Sequence, residues 1–161
     1  MLRVGLIADT HGLLRPEAIA FLAGSDHIVH AGDVGDPAIL DTLSTMAPTT
    51  AIRGNVDIDA WAARLPETTR VTIAGVAIYV LHDLNALDLD PRARDLRVVL
   101  SGHSHQPSVA ERDGVLYVNP GSAGPRRFRL PITAAELLID GASVTARIQV
   151  LLGDQTAFAF D

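Results

Sequence analysis

A chain of 161 residues, 48% hydrophobic and 20% charged, has the apolar content to fold as one domain over residues 1–161 and lacks the composition of a disordered chain. Its net charge of −6 argues against a nucleic-acid partner longer than a short nucleotide, and the absence of cysteine excludes disulfides and thiolate zinc sites. No run approaches a membrane span and the start MLRVGLIADTHG has no signal-peptide pattern, so no membrane partner and a cytoplasmic location are expected.

Taken in chain order, the apolar run Leu2 to Ala8 predicts a buried strand that stops at the polar turn Asp9-Thr10-His11-Gly12. A helix is predicted over Pro16 to Leu22, a strand over Asp26 to His30, and a second helix over Pro37 to Met46 with proline in its first turn. Thr49 to Arg53 reads as a third strand closed by Gly54-Asn55. Beyond Pro66 the pattern changes to strands joined by tight turns: Thr69 to Ala74 and Val76 to Leu81 bend at Gly75. Asp88 to Asp95 reads as a brief helical or irregular piece before a strand over Arg97 to Leu100. Two hairpins are predicted around Asp113-Gly114 and Asp140-Gly141, since Asp-Gly suits the left-handed dihedrals of two-residue turns.

The strand ends share a chemistry. Asp9-Thr10-His11, Gly32-Asp33, Gly54-Asn55-Val56-Asp57, His82-Asp83 and Gly102-His103-Ser104-His105 each follow an apolar run. In sheets with parallel strands, ligands gather beyond the carboxyl ends, so such turns can converge on one point. Two carboxylates, one amide and four imidazoles suit borderline divalent ions better than calcium. Seven such groups exceed one transition ion's needs and suit two ions sharing a carboxylate. Ions ~3.5 to 4 Å apart can acidify a bridging water and clamp a phosphoryl group. Arg126 and Arg127, after Gly124-Pro125, are either phosphate-pairing side chains or solvated surface arginines. His30 reads as a packed group or one that orients ligands, and Asp57 as a helix cap or a brace. Phe158 and Phe160 in the tail read as a strand edge, or as a contact between copies in a homo-oligomer.

The ordered motifs DTH (Asp9 to His11), HAGD (His30 to Asp33), GNVD (Gly54 to Asp57), LH (Leu81-His82), SGHSH (Ser101 to His105) and NPGS (Asn119 to Ser122) together resemble the calcineurin-like metallophosphoesterases. Within that family the resemblance is to small bacterial and archaeal phosphodiesterases related to the retromer subunit Vps29. It implies an α/β fold, a four-layer αββα sandwich of two mixed β-sheets flanked by helices. It also implies a ligand assignment: Asp9, His11 and His105 on one ion, Asn55, His82 and His103 on the other, and Asp33 bridging. Manganese is the expected ion, with iron, zinc, cobalt and nickel as alternatives.

Two departures stand out. Many relatives carry histidine where this chain has Val56, and Asp83-Leu84 stands where relatives often read Gly-His. Valine cannot transfer a proton, so the leaving-group acid is unassigned, with Asn55 and Asp57 as the catalytic candidates in that loop and Arg126 as the substrate-binding candidate. The expected function is hydrolysis of a small phosphodiester by a metal-bridging hydroxide. The rival readings are a non-catalytic Vps29-like scaffold and a nucleotide phosphatase or nuclease.

Overall fold

The structure is a computed structural model that describes residues 1–153. Ten strands and two α-helices follow in the order β1 (Leu2–Ile7), α1 (Pro16–Leu22), β2 (His27–His30), α2 (Pro37–Met46), β3 (Thr49–Ala51), β4 (Thr68–Ile73), β5 (Val76–Leu81), β6 (Val98–Leu100), β7 (Ser108–Arg112), β8 (Val115–Asn119), β9 (Ile132–Asp140) and β10 (Ser143–Leu152). Short 3-10 turns lie at Ala60–Arg64 and Leu84–Ala86. The predicted tail contact through Phe158 and Phe160 lies outside the described residues.

The strands form two five-stranded mixed sheets, ordered β10-β9-β1-β2-β3 and β4-β5-β6-β8-β7. In the first, β1, β2 and β3 are parallel; in the second, β5, β6 and β8 are. Each trio therefore ends its strands at one rim of its sheet, and both rims face the same side of the sandwich, where the site forms.

Side-chain alternation decides what packs between the sheets. Val4, Leu6 and Ala8 point inward with Val29 and Ala31, and meet Ile78, Val80, Val98, Leu100 and Val118 from the second sheet. Ile7 and Ile28 point outward, under Ala18 and Leu22 of α1 and Ile39 and Leu43 of α2. Helix α1 sits so close to β1 that a Cβ on Gly5 would lie 2.5 Å from Leu22 Cδ2. The opposite outer face carries only a thin layer: Leu84 and Leu87 pack on Leu81, Val99 and Val115. The expected four-layer sandwich is present, with its fourth layer reduced to a 3-10 turn and the irregular segment after it. No helix among the described residues is long and apolar enough to cross a membrane.

The strands stop slightly short of the sequence expectations for a physical reason. Ala8 leaves β1 because Asp9, at φ 54, turns left-handed and sends its N–H to Gly32 O. Arg53 is outside β3 because its N–H donates to Pro66 O instead of a neighbouring strand. In the β9–β10 hairpin Asp140 pairs with Ser143, so the two-residue turn is Gly141-Ala142 with Gly141 at φ 59, not Asp140-Gly141.

The β4–β5 turn offers a stability test. Ala74 and Gly75 sit at φ 50 and 80, the left-handed pair of a type I′ turn. Alanine in that region costs about 1 kcal/mol, a strain asparagine largely escapes. Ala74→Asn is expected to raise Tm by about 2 to 4 °C in thermal unfolding; an unchanged or lower Tm would contradict the turn assignment.

Candidate metal centre

Every strand-end motif of the two parallel trios reaches the same rim. Asp9 and His11 follow β1, Asp33 follows β2, Asn55 follows β3, His82 follows β5, and His103 and His105 follow β6. Two triads result, Asp9-His11-His105 and Asp33-His82-His103, each with its ligand atoms mutually within 4.8 Å. Asn55 joins the second through Oδ1, 3.2 Å from His103 Nδ1. Asp33 Oδ2 lies between the triads, 3.5 Å from His11 Nε2 and 3.2 Å from His82 Nε2.

The backbone is forced into this arrangement. Among the described residues nine non-glycine residues have positive φ, and five of them are Asp9, His11, Asp33, His103 and His105. Each such residue costs on the order of 1 to 2 kcal/mol, a strain typical of functional sites. Neighbouring glycines let the loops interlock. A Cβ on Gly54 would collide with Asp33 Oδ1, and one on Gly32 would lie 2.7 Å from His82 Nδ1.

Hydrogen bonds then aim the side chains. Val56 N–H donates to Asp33 Oδ1, leaving Oδ2 free to face both triads. His103 N–H donates to Asp9 Oδ2, leaving Oδ1 without a hydrogen-bond partner. His82 donates from Nδ1 to Ala31 O at 2.8 Å, so in the neutral ring Nε2 is a lone pair turned toward the carboxylates. That nitrogen is buried, close to Asp33 Oδ2 but misaligned for a hydrogen bond. His11 Nε2 and His105 Nε2 stand 3.2 Å apart. Lone pairs and carboxylate oxygens converging on each other are repulsive unless cations lie among them, so the residues fit divalent ions with mixed nitrogen and oxygen ligands.

The electrostatics of the first triad point the same way, whereas at His82 burial is outweighed by the neighbouring Asp33, Ala31 O and Asp9, which raise the imidazole. Burial raises Asp9 to about 7, helped by the nearby Asp33 charge and opposed by His82. Burial lowers His105 to about 4, reinforced by Arg127 and His11, and lowers His11 against the pull of Asp33. Both rings are thus neutral and able to coordinate near neutral pH. For Asp33, burial is outweighed by His82, the Val56 N–H and His11, and its carboxyl stays below the usual range.

Behind the ligands lies a set of braces. Asp57 is buried and accepts the N–H groups of Val34, Gly35 and Gly54 at 2.8–3.0 Å, tying the β2 and β3 loops together. Asn119 donates to Gly102 O and Ser104 Oγ, and Ser122 donates to Asp9 O, so the NPGS loop shapes the ligand loops from behind. Of the two arginines, Arg126 lies against Gly153, whereas the positive charge of Arg127 is felt by Asp9, His11 and His105. Sequence reasoning names Arg126 as the substrate-binding candidate, whereas it is the charge of its neighbour Arg127 that reaches the first triad. Val56 is exposed, an apolar side chain at the loop tip beside Asn55.

His30 is fully buried. Its Nδ1 accepts from Gly32 N–H, which places the proton on Nε2 for donation to Thr10 Oγ1; that hydroxyl donates to Val34 O. Burial depresses His30 to about 4, from an ordinary 6.5. The unfolded chain therefore takes up a proton that the folded chain refuses. His30's contribution to stability is full above about pH 6.5 and is lost as pH falls toward 4, about 3 kcal/mol in all. Comparing the pH dependence of unfolding in chelator, the native chain is expected to lose stability more steeply over this window than His30→Gln; equal slopes would contradict the assignment.

Sequence comparisons show the family, and structure comparisons show the fold. The calcineurin-like phosphoesterase superfamily domain matches residues 2–141. A probable metallophosphoesterase of Methanothermobacter thermautotrophicus is 36% identical over 157 residues, covering 90% of each chain. Among solved structures, Vps29 from Chaetomium thermophilum superposes with a TM-score of 0.80 at 21% identity, over 96% of this chain and 90% of that one. An archaeal phosphodiesterase superposes at 0.76 with 20% identity, over 92% of this chain and 100% of its own.

Proposed function

The chain belongs to the calcineurin-like phosphoesterase superfamily, and from that premise we propose that it is a phosphodiesterase that uses two divalent ions, manganese first. The observation that carries this reading is the position of Asp33 Oδ2, shared between His11 on one side and His82 on the other. Asp9, His11 and His105 would hold one ion, Asn55, His82 and His103 the second, with Asp33 common to both. Bound there, the ions would neutralise the phosphoryl oxygens and acidify the attacking water.

The chain's own groups divide the remaining work. Asp33 and His82 are locked by Val56 N–H and Ala31 O, so ligand geometry is set before substrate arrives. Asp57 acts through the backbone of Val34, Gly35 and Gly54 as a positioning residue. Arg127 adds positive charge on the first triad's side and is the arginine better placed to meet a substrate phosphate. Val56 offers no proton to a leaving group, which favours diesters whose leaving groups depart without a strong acid.

With manganese added, the protein is expected to hydrolyse bis(p-nitrophenyl) phosphate faster than p-nitrophenyl phosphate, and chelation should abolish both. If none of manganese, iron, zinc, cobalt or nickel supports hydrolysis, the scaffold reading takes its place; the fold similarity to Vps29 favours that reading.

A further inference from the structure

A cleft of about 530 Å³ opens directly off the second triad and is large enough for a small organic group. His82, Asn55 and His103 form its inner wall, and the buried, unpartnered Nε2 belongs to that same His82. Its outer wall combines the Tyr79 side chain with the carboxylates of Glu67, Asp83 and Asp88. The single guanidinium there, Arg53, is already engaged: it pairs with Glu67 at 3.1 Å and donates to Leu65 O. Among the described residues Asp88 has no ion-pair partner, and Asp83 has His103 as its ion-pair partner, at 3.8 Å, while also accepting Asn85 N–H.

The cleft is therefore acceptor-rich and acidic although it adjoins a site suited to phosphate. A second phosphate or a carboxylate on the substrate would be repelled from it. An aromatic face with carboxylates around it is the chemistry that receives alkylammonium groups. Building on the phosphodiesterase reading, we infer that this cleft selects the organic arm of the diester, and that the preferred arm is a small cationic one carrying an alkylammonium group. Tyr79 is the aromatic residue of the lining, and Asp88, unpaired, supplies the negative field to which Glu67 adds only what Arg53 leaves. The sequence shows these residues only as scattered loop and strand positions; β4, β5 and the segment after His82 bring them together.

Two diesters with the same p-nitrophenyl leaving group isolate the charge of the arm: p-nitrophenyl phosphorylcholine and its neutral 3,3-dimethylbutyl isostere. The manganese-loaded protein is expected to show kcat/KM about fivefold higher for the choline ester. In the double variant Glu67→Gln, Asp88→Asn the ratio should fall to near one while the manganese content of the protein is unchanged. In the metal-free protein, choline should perturb the amide resonances of Tyr79 and Asp88, and 3,3-dimethylbutanol should not. Equal kcat/KM for the two esters, a preference that survives in the double variant, or identical responses to choline and the alcohol would overturn the inference. Failure to hydrolyse bis(p-nitrophenyl) phosphate would instead remove the phosphodiesterase reading, and the resonance experiment would still decide the cleft.

Discussion

Replacing Asp33 with alanine is expected to lower kcat/KM for a phosphodiester by about 10³-fold or more. Asp33 Oδ2 stands within 3.5 Å of imidazole nitrogens from both triads, so its loss affects both proposed ion positions together. Asp57 cannot take its place, because both of its oxygens are committed to backbone donors. Metal content measured on the purified variant should fall from about two ions per chain to one or none. Turnover within tenfold of the native chain, or two ions retained, would refute the shared-ligand arrangement. A conservative Asp33→Asn change keeps the acceptor for Val56 N–H, so it separates loss of charge from loss of loop structure.

Asp9→Asn is expected to stabilise the metal-free protein while disabling it. Burial is the main reason Asp9 is raised to about 7, and the Asp33 charge adds to it. A carboxyl with a raised folded pKa favours the fold while protonated, and that contribution disappears as pH rises from 3.8 through about 7. Above neutral pH the metal-free chain thus holds an ionised, incompletely partnered carboxylate in its interior. An amide keeps the bond from His103 N–H without the charge. At pH 8 in chelator the variant should gain about 2 to 3 kcal/mol, read as a rise in Tm of about 5 to 10 °C. Manganese should raise the Tm of the native chain and leave that of the variant nearly unchanged, with kcat/KM lower by about 10²-fold or more. A variant less stable than the native chain without metal, or one whose Tm still responds fully to manganese, would show that Asp9 is structural.

The two results share an origin. Asp9, Asp33 and the histidines around them are placed by left-handed backbone and by burial that the apo chain tolerates at a cost, as expected where stability yields to function. His30 and Asp57 are different: both are fully satisfied by hydrogen bonds, and both hold loops for other residues.

Much of this was legible along the chain. Alternation and continuous apolar runs locate the strands because burial on one or both faces imposes a period that sequence displays directly. Aspartate, asparagine and glycine are ordinary turn residues, so the polar strand ends stand out because histidine recurs among them in one strand-end turn after another. Their order along the sequence carried the family resemblance.

Other features had no local signature. Nothing in Asn119 or Ser122 announces that one braces Gly102 and the other Asp9, since those partners lie 17 and 113 residues away. Arg126 and Arg127 are adjacent and chemically identical, and only the course of their loop sends the charge of one toward the triads. The sequence by itself determined which atoms could bind a metal, because that depends on residue type. Tertiary structure alone decided which of those atoms meet, how buried each becomes and what cleft opens beside them, because distance and desolvation are properties of loops converging from two sheets and not of any single segment.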